Sequence, residues 1–125
     1  MQGKTILIID DDLAFSEMLS EILKDEGAEV CVANDGVAGL TKAEEVQPDL
    51  IMCDVMMPRM TGMEVLQKIR TASWGTTVPF ILLTNMTQPE GLEQVQQISA
   101  AHTECLLKTD WTLDDIAKKI QGLLA

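Results

Sequence analysis

The stretch that decides the fold is LIMCD at residues 50–54, a short and continuous apolar run that ends in Asp54. Four other short apolar runs share this character, each flanked by turn-forming or charged residues: Ile6–Ile9, Val30–Ala33, Phe80–Leu83 and Cys105–Leu107. Continuous apolar runs of this length are typical of strands that are buried on both faces, as in a parallel sheet. The sequence therefore predicts five strands, the third of which covers Leu50–Cys53.

Helical periodicity separates these runs. Apolar residues recur at helical spacing between Phe15 and Leu23, and Gly27 is placed to end that helix in a left-handed conformation. Four further helices are predicted, two with capping boxes at Thr61–Glu64 and Thr112–Asp115 and two with weaker patterns at Val37–Val46 and Pro89–Ala100. Every predicted strand is thus followed by a predicted helix.

Five strands alternating with five helices indicate right-handed βαβ units and an α/β fold with a doubly wound parallel sheet. The strand order that we consider for such a sheet is 2-1-3-4-5. The chain shows no linker, no low-complexity stretch and no repeat longer than the βα unit. We therefore expect one domain over residues 1–125.

Composition narrows the classes of function. The net charge of −11 argues against nucleic-acid binding, which requires a basic face. No apolar run approaches the roughly 20 residues that span a bilayer, and the N-terminus shows no secretory signal. We therefore expect a cytoplasmic protein that contacts neither nucleic acid nor membrane. Cys31, Cys53 and Cys105 share no motif spacing and are interpreted as small packed thiols.

Acidic residues stand at the ends of two predicted strands. Asp10 and Asp11 follow the first strand directly, and Asp54 follows the third. Ligands of open α/β sheets bind at the carboxyl ends of strands, near the point where the strand order reverses. If the first and third strands are neighbours, these carboxylates converge on one shallow pocket. Crowded carboxylates repel one another, and a hard divalent cation with a preference for oxygen ligands, such as Mg²⁺, would relieve that repulsion.

Two further strands end in residues of complementary chemistry. Thr84 closes the fourth strand with a hydroxyl, and Lys108 closes the fifth with an ammonium group. A cation, an ammonium, a hydroxyl and a carboxylate nucleophile together suit the binding of a phosphoryl group. Each residue alone has a simpler explanation as a cap or a surface residue, and for Asp12 a helix cap is the better interpretation. Their coincidence at strand ends favours a common site.

Several segments resemble response regulator receiver domains. The resemblance covers essentially the whole chain, and its most specific part is the run DVMMPRMTG at residues 54–62. The other matching segments are residues 6–12, 48–53, 82–84 and 107–108. The resemblance implies a flavodoxin-like (βα)5 fold and a phosphorylation switch of two-component signalling rather than an enzyme.

The resemblance also implies a role for each strand-end residue. Asp54 would accept a phosphoryl group from a histidine kinase or phosphotransfer protein, while Lys108 and Thr84 would contact the phosphoryl oxygens. The ligands of Mg²⁺ (or Mn²⁺) would be Asp11, Asp54, the backbone carbonyl of Met56 and, through water, Asp10. The response would reach the surface formed by the fourth helix, the fifth strand and the fifth helix, where a downstream protein or a second receiver would bind.

The sequence departs from the family pattern at three places near Lys108 and Thr84. Thr109 follows Lys108 where most members have proline, and we expect a trans peptide bond with Lys108 still in the pocket. Cys105 replaces the aromatic residue that often reports the state of the switch. Asn85 replaces a smaller residue and would restrict access or donate a hydrogen bond. The transmitting part of the switch is therefore expected to be altered.

Met56 and Met86 stand at the positions that flank the hydrolytic water in this family. Because a thioether orients water poorly, we expect slow self-dephosphorylation. Three alternatives are weighed against the switch: a degenerate receiver that acts as a docking module, a haloacid-dehalogenase-like phosphatase with Asp10 and Asp12 as its acids, and a flavodoxin-like cofactor binder. The specific match around Asp54 argues against the second, and the acidic triplet after the first strand argues against the third.

Overall fold

The computed structural model describes residues 1–85 and 102–125, and within them the chain forms one five-stranded parallel sheet. The strands are β1 (Thr5–Ile9), β2 (Glu29–Ala33), β3 (Leu50–Asp54), β4 (Phe80–Thr84) and β5 (Thr103–Leu107). Their order is β2-β1-β3-β4-β5, so the predicted order is confirmed and β1 lies beside β3. Asp54 and Thr84 are the last residues of their strands, whereas Asp10 directly follows β1.

Helices connect the strands and close the chain. In the described ranges they are α1 (Leu13–Asp25), α2 (Gly36–Val46), α3 (Gly62–Thr71) and the C-terminal helix (Leu113–Leu124). A side-chain oxygen of the residue before each helix accepts a hydrogen bond from its first turn; these capping residues are Asp12, Asp35, Thr61 and Thr112. The predicted helix at Pro89–Ala100 lies outside the described residues.

The end of α1 follows the sequence prediction for Gly27. Gly27 adopts a φ of 96°, a left-handed conformation that side chains disfavour. Its N–H donates to the carbonyl of Lys24 at 2.9 Å, and the N–H of Ala28 donates to the carbonyl of Leu23 at 3.1 Å. This pair of bonds satisfies two carbonyls that the helix end would leave without partners. The predicted left-handed cap is confirmed.

The two predicted capping boxes differ. At the C-terminal helix both bonds form, because Thr112 and Asp115 each accept the other's backbone N–H. At α3 the Thr61 hydroxyl accepts from the N–H of Glu64 at 3.3 Å, but the Glu64 carboxylate lies 3.4 Å from that hydroxyl. The glutamate is engaged by the hydroxyl and forms no bond to the Thr61 N–H, so the predicted reciprocal box is wrong at α3.

A hydrophobic core lies on each face of the sheet. On one face α2 and α3 cover alternate strand residues, among them Leu7, Ile9, Ile51, Cys53, Phe80 and Leu82. On the other face α1 and the C-terminal helix cover the residues between them, among them Ile6, Ile8, Leu50, Met52, Ile81 and Leu83. Burial of both faces explains why the central strands appear as continuous apolar runs rather than alternating ones.

The amino ends of β4 and β5 are held by Arg70, a residue near the end of α3. Its guanidinium donates to the carbonyls of Gly75 at 2.8 Å, Val78 at 2.7 Å and His102 at 3.0 Å. It also donates to the hydroxyl of Thr103 at 3.0 Å. One side chain thus fastens the helix, the following loop and two strand starts together. Burial lowers the pKa of Arg70.

The cysteines are free thiols that pack against one face of the sheet, as predicted. Cys53 is fully buried, while Cys31 and Cys105 are half-buried. Burial raises the pKa of the Cys53 thiol, and the neighbouring charges of Asp54 and Asp10 raise it further, which keeps the thiol neutral. Among the described residues, no helix combines the length and apolar character needed to cross a bilayer.

Candidate functional site

Three carboxylates meet at the carboxyl end of the sheet, where the strand order reverses. The register pairs Ile9 with Cys53, which brings the residues that follow them, Asp10 and Asp54, to the same edge. One carboxylate oxygen from each of Asp10, Asp11 and Asp54 lies within 4.8 Å of the others. Asp10 and Asp54 are buried, and Asp11 is exposed. The convergence expected from the strand order is therefore present.

Asp10 is fixed by contacts at both of its oxygens. Its Oδ1 accepts a hydrogen bond from the N–H of Asp12 at 2.9 Å, and its Oδ2 lies 2.7 Å from the Lys108 ammonium. Asp12 itself caps α1, since its Oδ1 accepts from the N–H of Phe15 at 3.2 Å. The two adjacent acids therefore differ in role: Asp10 faces the pocket, and Asp12 has the capping role predicted for it.

Asp54 presents a buried carboxylate with few donors around it. Its Oδ1 faces the N–H of Met56 at 3.4 Å, and its Oδ2 lies 3.6 Å from the Lys108 ammonium. Burial raises the pKa of Asp54 to about 6; the Lys108 charge opposes this rise, whereas the Asp10 charge adds to it. The carboxylate is thus held in its charged form at neutral pH at an energetic cost, which a nearby positive charge would relieve.

The loop after Asp54 depends on a glycine. A Cβ on Gly62 would collide with the backbone carbonyl of Asp54, so α3 can begin this close to the end of β3 only with glycine there. The N–H of Gly62 donates to the carbonyl of Val55 at 3.0 Å, and the N–H of Val55 donates to the carbonyl of Leu83 at 2.9 Å. The glycine of the DVMMPRMTG run therefore holds the acidic end of β3 in place.

Lys108 reaches the pocket, as expected. Its peptide bond to Thr109 is trans, and Lys108–Asp110 form one turn of 3-10 helix. Burial alone would lower the pKa of Lys108, but the bond to Asp10 and the charges of Asp54, Asp10 and Asp12 outweigh burial and raise it. Lys108 is therefore a firmly protonated ammonium between the two buried carboxylates.

Phe15 also contacts Lys108 and was not among the predicted site residues. The Lys108 Nζ lies over the Phe15 ring, 4.5 Å from its centre. The sequence places Phe15 on the apolar face of the first helix and contains no signal of this contact, because the two residues are brought together only when α1 packs against the sheet beside the C-terminal helix.

The other predicted site residues lie at or near the ends of β3, β4 and β5, apart from Met86, which lies outside the described residues. Thr84 is fully buried at the end of β4, and Asn85 after it is exposed. Cys105 is half-buried on β5, paired with Leu82 in the sheet. Met56 is 61% exposed, and Met86 lies outside the described residues. The structure brings together Asp10, Asp11, Asp54 and Lys108.

The donor set fits a hard divalent cation. The converging atoms are carboxylate oxygens, with no imidazole or thiolate among the described groups that cluster there. Oxygen ligands of this kind suit Mg²⁺ or Mn²⁺ better than zinc or copper. Burial raises the pKa of Asp54, and the Lys108 charge opposes that rise without cancelling it.

Comparison with solved structures gives the same architecture. Chemotaxis response regulator CheY4 of Vibrio cholerae is 33% identical and superimposes with a TM-score of 0.83, over 96% of this chain and 98% of that chain. The signal receiver domain of a histidine kinase from Syntrophus aciditrophicus is 26% identical with a TM-score of 0.86, over 98% and 90% of the two chains.

Curated relatives are longer proteins. The probable transcriptional regulatory protein TcrX of Mycobacterium tuberculosis is 30% identical over 98% of this chain and 50% of its own length. The transcriptional regulator RpaA of Synechocystis is 34% identical over 95% of this chain and 48% of its own length. The chain thus spans about half the length of these relatives.

The response regulator receiver domain profile matches residues 6–121. The chain therefore belongs to the response regulator receiver domain family, whose members act as signalling switches in two-component systems.

Proposed function

We propose that Asp54 is the phosphoacceptor of this receiver domain. A carboxylate oxygen of Asp54 attacks the phosphorus of a phosphohistidine on a histidine kinase or phosphotransfer protein. The new O–P bond makes an acyl phosphate as the P–N bond breaks, and the departing imidazole nitrogen takes a proton. The observation that carries the proposal is the placement of a buried carboxylate at the end of β3, 3.6 Å from an ammonium and beside two further acids.

The surrounding residues support this chemistry. Lys108 is protonated and close enough to Asp54 to pair with the oxygens of a phosphoryl group bound there. The carboxylates of Asp10, Asp11 and Asp54, with the backbone carbonyl of Met56, would hold Mg²⁺ or Mn²⁺. When bound, the cation would neutralise charge on the carboxylates and on the transferring phosphoryl oxygens.

The signal is proposed to leave the site through Thr84 and the surface around β5. Phosphorylation adds about 1.5 to 2 negative charges at the end of β3, by analogy with other phosphorylated side chains. Thr84 ends the neighbouring strand, where its hydroxyl could hydrogen-bond the new group. A downstream protein or a second receiver would bind the surface of the predicted fourth helix, β5 and the C-terminal helix.

A second candidate is a docking module that works without phosphorylation. It is favoured by the altered transmitting positions, since Cys105 provides no ring at its place in β5 and Asn85 is an exposed, larger side chain after Thr84. The assembled carboxylates and Lys108 weigh against it, because a docking surface has no need of a half-buried cation facing two buried acids.

Intact mass measurement separates these functions. The protein is incubated with Mg²⁺ and acetyl phosphate, and the masses of wild type, Asp54→Asn and the exposed control Asp25→Asn are compared. The proposal predicts one hydroxylamine-labile phosphoryl group on wild type and control and none on Asp54→Asn. No adduct on the wild type would favour the docking module, and sustained turnover of a phosphate ester would favour a phosphatase.

A further inference from the structure

The ammonium of Lys108 has a neutral neighbour as well as charged ones. Its Nζ lies 4.5 Å from the centre of the Phe15 ring, within the roughly 6 Å at which an aromatic face attracts a cation. The charged neighbours are Asp10 at 2.7 Å and Asp54 at 3.6 Å. The shortest contact therefore draws the ammonium toward Asp10 rather than toward the proposed phosphoacceptor.

We propose that Phe15 is a positioning residue that holds the Lys108 ammonium within reach of a phosphoryl group on Asp54. A lysine has a flexible stem and a strongly hydrated ammonium, so a charge partner alone does not set its direction. Asp10 is also a proposed cation ligand, and its charge would be shared once a cation is bound. Among the described residues, Lys108 is the cation recorded over the Phe15 ring, and the ring would not be drawn away by a bound metal ion. This inference rests on the proposed function of Asp54.

The Phe15 ring is itself held independently of the pocket. Phe15 lies in the first turn of α1, and its N–H donates to the capping carboxylate of Asp12 at 3.2 Å. Its side chain is half-buried and packs against the core between the sheet, α1 and the C-terminal helix. The cap sets the start of the helix and the core sets the ring, so the platform exists before any ligand arrives.

The contact can be measured directly by nuclear magnetic resonance. Protons on the ε-methylene of Lys108, assigned by their loss in Lys108→Met, should be shifted upfield by the ring in wild type. Phe15→Leu should remove that shift, Phe15→Tyr should keep it, and Leu13→Ala, an exposed change in the same turn, should leave it unaltered. An unshifted Lys108 signal in the wild type would overturn the proposal.

The consequence for the phosphoryl group is measured with beryllofluoride, a stable stand-in for it, by fluorine resonance in the presence of Mg²⁺. Phe15→Leu should weaken beryllofluoride binding about 2- to 30-fold. Phe15→Tyr should restore it, and the affinity for Mg²⁺ alone should stay within about twofold in both variants. In a Lys108→Met background, Phe15→Leu should have no further effect.

The outcomes distinguish this inference from the function on which it rests. Full additivity of Phe15→Leu and Lys108→Met, or weak binding by Phe15→Tyr as well, would overturn the positioning role while Asp54 remains the phosphoacceptor. A wild type that shows the ring shift but forms no beryllofluoride adduct would instead overturn the function proposed for Asp54, and the positioning role with it.

Discussion

Two half-buried cationic side chains lie at opposite ends of the same part of the sheet, and their surroundings differ. Arg70 holds the amino ends of β4 and β5 through carbonyl and hydroxyl oxygens, all of them neutral. Lys108 follows the carboxyl end of β5 and faces the carboxylates of Asp10 and Asp54. The pKa of Arg70 is lowered by burial, whereas the charges around Lys108 raise its pKa despite burial.

The difference separates a cation that joins parts of the fold from the cation proposed to serve the phosphorylation site. Both terminal nitrogens of the Arg70 guanidinium donate to neutral oxygens of the protein itself, so its described bonds serve to join parts of the fold. At the other end, one ammonium faces two buried acids, and the pKa of Asp54 remains raised to about 6 because that compensation is incomplete. An excess of negative charge next to a fixed ammonium suits the arrival of a divalent cation and then a phosphoryl group.

The largest effect is expected from removing the ammonium of Lys108. Lys108→Met should slow phosphorylation by acetyl phosphate about 100-fold or more, because the phosphoryl oxygens lose a charged donor in a buried site. Rates are measured by intact mass over time. The matched control is Lys119→Met, which removes an ammonium that pairs with Glu104 at 3.0 Å on β5 away from the pocket. Equal rates in Lys108→Met and wild type would refute the functional assignment of this cation.

Removing the structural cation should act on stability instead. Arg70→Met should lower the free energy of unfolding by about 2–4 kcal/mol, because several part-buried oxygens lose their donor. Chemical denaturation measures this, and the folded variant should still be phosphorylated. Arg59→Met is the control: its side chain is 72% exposed, 3.5 Å from Asp35, and the expected change is under about 1 kcal/mol. Equal losses in the free energy of unfolding for Arg70→Met and Arg59→Met would contradict the structural role of Arg70.

Asp54→Asn should stabilise the metal-free protein at neutral pH by about 1–3 kcal/mol. The folded-state pKa of about 6 lies above the ordinary value of 3.8, so the folded state holds more protons between these values. Wild-type stability should therefore fall as pH rises through that window. The gain in the free energy of unfolding of Asp54→Asn over wild type should be small below pH of about 4 and should reach its full size above about 6. Denaturation curves across pH test this, with Asp25→Asn as the exposed control. A stability difference between Asp54→Asn and wild type that does not change with pH would contradict it.

The smallest effect concerns the lifetime of the phosphorylated state. Met56 is 61% exposed next to Asp54 and offers only a thioether to a nearby water. We expect slow self-dephosphorylation of the wild type. Met56→Asn should lose the phosphoryl group about 2- to 10-fold faster, because its amide can orient a water with about one hydrogen bond. Loss of the phosphoryl group is followed by mass after acetyl phosphate is removed, and Met18→Asn on α1 serves as the exposed methionine control. A wild-type half-life of seconds would be inconsistent with this expectation.

The sequence by itself determined the strands and, for the strand order considered for a doubly wound sheet, the convergence of Asp10, Asp11 and Asp54. These features depend on local signals: apolar runs of strand length, caps such as Gly27, and the rule that the carboxyl ends of parallel strands meet at one edge. The family motif around Asp54 added the chemistry. The departure from the family pattern at Thr109 predicted a trans Lys108–Thr109 bond with Lys108 still in the pocket, and both are found.

Only the tertiary structure decided which side chains act on those residues. In the sequence Phe15 is one apolar residue of a predicted helix, and only packing brings its ring to Lys108. Arg70 was not singled out from the sequence, and only the folded chain places its guanidinium against the loop and the strand starts. The single capping bond at Thr61 likewise depends on the conformation of the Glu64 side chain, which contacts the Thr61 hydroxyl instead of the Thr61 N–H. Contacts between residues far apart in the chain depend on the packing of whole helices and strands, and local sequence patterns do not predict that packing.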